Sequence, residues 1–191
     1  MGEEKKQLRK QFLQQRRSLS KLQWREKSHL ICAHLKETPF FAQSKVILAY
    51  SSIAGEPDLS SLWQEDEGKR VWGLPRCQGK DLVWHQWRPN TPLLPGKYNI
   101  PEPPADSPVI FPFQVDLILV PAVACDHRGY RLGYGGGYYD RLLSNQQWQK
   151  PVKIGIVFDF AYVEQLVTHQ WDKPLDYVCT ESGLKPGNKP L

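Results

Sequence analysis

The chain has 191 residues, of which 40% are hydrophobic, and a net charge of +5, which suits one soluble globular domain. No run approaches the roughly 20 consecutive apolar residues of a membrane span. The charged start MGEEKKQLRKQFL lacks the apolar stretch of a secretion signal, and Lys6 stands where a myristoylation signal has Ser or Thr. A cytoplasmic protein without a membrane partner is expected.

Residues 3–18 have helix-forming composition, with Leu8, Phe12 and Leu19 toward one face. Ser20 followed by Gln23 reads as a capping box that opens a second helix running to about Glu37, where Pro39 stops it. Nine cations lie between Lys5 and Lys27 against Glu26 alone. Such a face is most often simply solvated, but it also suits an anionic partner. KVILAYS (45–51) is a buried-strand candidate, and Pro57 suits the start of a short helix. KRVWGLP (69–75) and DLVWHQW (81–87) read as strands around a glycine-containing turn. Residues 88–114 hold eight prolines and no periodicity, which marks a functional loop rather than a linker.

VDLILVPAVAC (115–125) has the continuous apolar character of a strand covered on both faces. A glycine stretch and a short helix follow, then a strand at 152–158, a helical piece from Tyr162 to Val167 and a last strand at 176–180. Residues from about 185 onward read as a frayed tail. The alternation predicts a single α/β domain with a mainly parallel central sheet flanked by helices, Rossmann-like but without the G-x-G-x-x-G fingerprint. Cys32, Cys77, Cys125 and Cys179 are scattered, with no C-x-x-C pair, and are expected to be reduced and mostly buried. The five histidines are likewise dispersed and read as structural.

Three stretches have chemical potential. In RLGYGGGYYDRLL (131–143), Gly133, Gly135, Gly136 and Gly137 remove side chains just beyond a strand's carboxyl end, where open α/β sheets bind ligands. Successive amides leading into a helix can seat an anion. The stretch fits neither familiar phosphate loop, because Tyr138 takes the third-glycine position and no G-x-x-x-x-G-K-[ST] occurs. A glycine-rich turn is the plainer reading of such a cluster. The flanking Arg131, Arg141, Tyr138, Tyr139 and Asp140 weigh against a merely passive one. Asp140 reads equally as a magnesium ligand beside phosphate or as a first-turn helix acid. In YSSIAGEPDL (50–59), Glu56 is either another first-turn acid or a carboxylate at the sheet's active edge. In KKQLR, Lys5, Lys6 and Arg9 lie along one helical flank.

Taken together with GKYNIPEP (96–103) and PLDYVCTE (174–181), these stretches resemble the 5-formyltetrahydrofolate cyclo-ligase family, in its order and over nearly the whole chain. The resemblance implies ATP- and magnesium-dependent conversion of 5-formyltetrahydrofolate, with or without a polyglutamate tail, to 5,10-methenyltetrahydrofolate, with ADP and phosphate released. It implies a monomer with a small-molecule substrate and no nucleic-acid partner. It places ATP against Lys5, Lys6, Gln7, Leu8 and Arg9, and against Arg131, Leu132, Gly133, Tyr134, Gly135, Gly136, Gly137, Tyr138 and Tyr139. Folate contacts fall on Ser51, Glu56, Tyr98 and Tyr134 through Tyr138, and metal ligands on Asp140 and Asp176. Lys5, Glu56 and Arg131 are expected to act most directly in the reaction.

The chain departs from the family at Tyr134 and Gly136, where many members carry Arg and Lys, and at Cys125, where an aromatic residue is common. Two other readings compete. A nucleic-acid binder would use the basic helices and show a steep salt dependence, whereas a sugar-phosphate isomerase would need a positioned base and no ATP.

Overall fold

The computed structural model describes residues 2–187. Helix α1 (Glu3–Ser18) and helix α2 (Lys21–Lys36) occupy the predicted stretches. The predicted capping box is formed: the Ser20 hydroxyl accepts from the Gln23 N–H at 3.2 Å while the Gln23 side chain accepts from the Ser20 N–H at 2.9 Å. Pro39 opens a further short helix, α3 (Pro39–Gln43), whose Thr38 cap accepts from the Phe41 N–H.

Strand β1 (Val46–Leu48), helix α4 (Ser60–Gln64) and strands β2 (Val71–Gln78) and β3 (Asp81–Trp87) come next. The proline-rich segment contains a miniature hairpin, β4 (Leu94–Pro95) with β5 (Pro101–Glu102), and an edge strand, β6 (Val109–Ile110). The apolar run 115–125 divides into β7 (Leu117–Pro121) and β8 (Ala124–Asp126), and β9 (Arg131–Leu132) leads to α5 (Tyr138–Ser144). Strands β10 (Val152–Ile156), β11 (Tyr162–Val163), β12 (Tyr177–Thr180) and β13 (Gly183–Pro186) complete the chain.

Eight strands form the main sheet in the order β13-β12-β10-β7-β1-β2-β3-β6. The five central strands are parallel and the outer pairings antiparallel. From β1 the chain moves to one side of the sheet through β2, then returns through β7 to build the other. The topological switch point therefore lies between the carboxyl ends of β1 and β7, where open α/β sheets place their ligands.

The apolar strands alternate between two cores, as a two-residue period requires. Leu117 and Leu119 join Ile31, Leu35 and Ile47 under α2, while Ile118 and Val120 join Phe12, Leu48 and Leu142 under α1 and α5. Cys32, Cys125 and Cys179 are buried free thiols, and Cys125 is packed close to Gly155.

Two expectations are corrected. Residues 162–167 hold strand β11 rather than a helix, because Tyr162 and Val163 pair with Cys125 and Asp126 in a three-stranded sheet. Lys185 and Pro186, placed in a frayed tail from the sequence, pair with Val178 and Tyr177; residues 188–191 lie outside the described residues. Among the described residues, no helix is long and apolar enough to cross a membrane.

Candidate active site

A cleft of about 950 Å³ opens over the switch point. Its walls come from the segment after β1, the turn after β9, the hairpin β4–β5, the N-terminal flank of α1 and residues 169–172.

The segment after β1 is pinned so that Glu56 faces inward. The Glu56 carbonyl accepts from Trp24 Nε1 at 2.9 Å and from the Ser52 hydroxyl at 2.7 Å, and its carboxylate accepts the Ile53 N–H at 3.1 Å. Glu56 is only 2% exposed. Burial pushes its carboxyl up to about 7, against the lowering effects of the Ile53 N–H, Arg16 and Tyr134. Ser51 also lines the cleft, and its buried hydroxyl has no hydrogen-bond partner.

The glycine turn forms the floor. Asp126, fully buried, shapes the preceding turn by accepting from the backbone of Arg128, Tyr130 and Leu166 and from the Arg128 guanidinium. That turn delivers Arg131 on β9. Gly135 and Gly137 have φ of +104° and +70°, which other residues adopt only at a cost, and Gly137 caps α5. The helix has only seven residues, so the turn's charge comes mainly from side chains rather than from a long helix dipole. The Tyr139 hydroxyl is buried without a partner, and burial raises its pKa.

Two ion pairs flank a third cation. Lys5 donates to Asp172 at 2.6 Å, and Arg131 to Asp140 at 2.6 Å. Burial alone would raise the Asp172 carboxyl, but the Lys5 ammonium and the His169 N–H outweigh it and hold the carboxyl below its ordinary range. Arg9 lies within the electrostatic reach of both Asp140 and Asp172, and burial lowers its own pKa. Its Nε donates to the Gly133 carbonyl at 2.6 Å, while its Nη1 and the Arg131 Nε are buried without hydrogen-bond partners among the described residues. Charged donors left unsatisfied in a cleft are what an anionic ligand would complete.

The proline-rich hairpin closes one side. Lys97 donates to the Tyr138 hydroxyl at 3.0 Å and to the Gly79 carbonyl at 3.2 Å. Tyr98, at φ +60° and 67% exposed, meets Tyr138 edge-on with ring centroids 6.5 Å apart. Gly96 permits this turn because a Cβ there would come within 2.1 Å of the Glu102 side chain. On the opposite rim, Trp171 stacks on His169 at 4.7 Å and is 62% exposed.

Most of the residues singled out from sequence meet in this cleft, namely Lys5, Arg9, Ser51, Glu56, Tyr98, residues 131–139 and Asp140. Four do not. Lys6 points to solvent and pairs with Glu3, Gln7 is exposed, and Leu8 packs against the core, since these positions lie off the helical stripe that carries Lys5 and Arg9. Asp176 faces a separate shallow depression beside Phe40 and Tyr177, and its carboxylate accepts the Lys153 N–H at 2.8 Å.

The sequence reading also missed Asp172, His169, Trp171 and Arg16. Arg16 carried a usable signal, because it lies seven and eleven residues beyond Arg9 and Lys5, on the same stripe. Among the described residues, no group of three or more His, Cys, Asp and Glu side chains could hold a metal. Asp140, beside the unsatisfied cations, fits the single carboxylate that magnesium uses when it arrives on a phosphate.

A two-sided α/β sheet with a charged, aromatic-rimmed cleft at its switch point is the arrangement in which open α/β folds bind small molecules. The profile of the 5-formyltetrahydrofolate cyclo-ligase family matches residues 1–181. A protein of that name from Escherichia coli K12 is 32% identical over 176 residues, 88% of this chain and 96% of that one. Another from Haemophilus influenzae is 30% identical, over 91% of this chain and 95% of that one. The solved structure of Aquifex aeolicus 5,10-methenyltetrahydrofolate synthetase superposes with a TM-score of 0.85 at 35% identity, covering 98% of this chain and 94% of that one. The chain belongs to the 5-formyltetrahydrofolate cyclo-ligase family and is an enzyme.

Proposed function

We propose that the chain converts 5-formyltetrahydrofolate to 5,10-methenyltetrahydrofolate with ATP and magnesium, releasing ADP and phosphate, as a cytoplasmic monomer. The activity itself follows from the family and the names of its relatives. The observation that carries the ATP-dependent reading is the set of cationic donors on Arg9 and Arg131, unsatisfied among the described residues, in the same cleft as Gly133, Gly135, Gly136, Gly137 and Glu56.

The formyl oxygen of an amide-like group leaves poorly, so the side-chain nitrogen N10 cannot displace it unaided. Transfer of the γ-phosphoryl group of ATP to that oxygen gives an iminium phosphate and ADP. N10 then attacks the formyl carbon and loses its proton as the carbon–oxygen bond breaks and phosphate departs. This chemistry needs positioning and charge neutralisation rather than a protein nucleophile. Arg9, Arg131 and Lys5 would neutralise the phosphates, and the Gly133–Gly137 backbone would admit them closely. Magnesium, held by Asp140 and phosphate oxygens, would supply further neutralisation. Glu56 would orient the pterin by accepting its N–H groups, with Tyr98 and Tyr138 against the ring faces. Of these cations, Arg9 would carry the largest share of the phosphate load, since its Nη1 lacks a partner among the described residues.

Substrate labelled with oxygen-18 at the formyl group tests the route. The label is expected in the released phosphate, with ADP and the methenyl chromophore appearing in equal amounts. Label retained in water or in the folate would overturn the phosphorylated intermediate.

A further inference from the structure

Arg16 is 3% exposed, lies behind the cleft wall rather than on it, and has no carboxylate within ion-pair distance among the described residues. A buried guanidinium without a paired anion is costly, so something else must hold it in place. Nη1 donates to the Tyr134 hydroxyl at 2.8 Å, and Nη2 donates to the Ala122 carbonyl at 2.7 Å and to the Val123 carbonyl at 3.5 Å. Its aliphatic stem runs beneath Gly55, where an added Cβ would sit 3.3 Å from Cγ. One side chain therefore touches the exit of β7, the glycine turn and the loop that carries Glu56.

A phenol has one proton to give and lone pairs to receive. Because Tyr134 accepts from Arg16, its own proton is left to donate, and Tyr134 shares the cleft with Glu56, whose carboxyl it helps to lower. We infer that Arg16 is a positioning residue that braces the Tyr134 hydroxyl and the Gly55 loop and so aims Glu56 into the cleft. The inference rests on the reading of Glu56 as the group that accepts the pterin's N–H bonds. Arg16 does not touch substrate. It sets the orientation of two groups that would.

This assignment separates the two substrates. Lys5 and Arg9, on the same helix, serve the phosphate end, whereas Arg16 serves the pterin end, so its loss should fall on folate and spare ATP. In steady-state assays of methenyl formation, Arg16→Gln is expected to raise the folate KM about tenfold or more while the ATP KM stays within about twofold. Besides Arg16, the titratable groups acting on or with Glu56 are Tyr134, Tyr50 and Tyr139. Removing the one cation among them takes away a lowering influence on Glu56, so the acid limb of the kcat/KM profile for folate should move to higher pH. Millimolar guanidinium should restore part of the loss in Arg16→Gln.

Tyr134→Phe, which removes only the bridging hydroxyl, should reproduce the folate effect, and the double variant should be no worse than Arg16→Gln alone. Equal rises in both KM values, additive losses in the double variant, or an unchanged acid limb would overturn the assignment. If Arg16→Gln does not fold, a Tyr134→Phe enzyme with wild-type folate KM does the same. A wild-type enzyme that forms no methenyl chromophore would instead refute the reaction on which the inference rests.

Discussion

Helices α1 and α2 are alike in the features that sequence composition records: each has 16 residues, and both carry much of the chain's basic charge. In the fold they are opposites. The buried residues of α2 are Ser28, Ile31, Cys32 and Leu35, an ordinary core face, and its Lys21 and Arg25 are exposed. The buried residues of α1 are Lys5, Phe12 and Arg16, so this helix turns two of its cations inward while Lys6, Lys10 and Arg17 stay exposed. Helical charge is therefore uninformative until one knows which stripe bears it. A cation on the stripe that also holds Phe12 meets the cleft, and one a hundred degrees away meets water.

The difference can be broken at several points. The largest effect is expected from Arg9→Ala, which removes the cation whose Nη1 lacks a partner. Loss of a charge-stabilising donor of this kind costs about 10²–10³ in kcat/KM, read as ADP release with a raised ATP KM. A loss below about tenfold would mean that Arg131 alone carries the phosphate.

Next comes Glu56, on the wall that α1 supports. Its folded-state pKa of about 7 lies above the ordinary carboxyl value of 4.5. Between those values the native state keeps a proton that the unfolded state has lost. Stability should therefore fall as pH rises from 4.5 through about 7, by at most about 3 kcal/mol. Urea midpoints of Glu56→Gln measured against wild type across that window test this. Parallel pH profiles would contradict the buried, proton-binding carboxylate.

Asp176→Asn should cost a more modest ~1–2 kcal/mol by weakening the bond from the Lys153 N–H, while the magnesium needed for half-maximal rate stays unchanged. Asp140→Asn should instead raise that magnesium requirement. The reverse pattern would restore Asp176 as a metal ligand. Smallest of all is Arg25→Ala on α2, which should alter stability by no more than about 0.5 kcal/mol and leave both KM values in place. A clear rise in the ATP KM for this variant would erase the distinction between the two helices.

The pattern of legibility has physical causes. Strands β1, β7 and β10 were readable because burial on both faces demands runs such as VIL, LILVP and VKIGI, and the β2–β3 hairpin because its turn sits between two β-rich runs. The capping box of α2 is a local device whose residues are three apart, and it was read correctly. What escaped depended on strand partners that the segments do not announce themselves, one distant and one across a local hairpin. Tyr162 and Val163 become a strand only because Cys125 and Asp126 lie beside them, and Lys185 because Val178 does. Within the site, the glycine turn and Glu56 were visible as motifs. Asp172 was not, because a lone aspartate gains meaning only once Lys5 is beside it. Asp176, four residues on, has the more conspicuous sequence setting, but it serves the backbone of β10.

The Lys5–Asp172 pair joins residues 167 positions apart, and Arg9 reaches Gly133 across 124. A chain made from its N-terminus produces α1 long before Asp172. For most of synthesis the inward-facing cations of α1 have no counterpart, and the helix must stay undocked or hold only provisional contacts. Closing loops of this span before their contacts form is entropically slow. A cleft that needs both Lys5 and Asp172 therefore forms only after these two distant segments have come together.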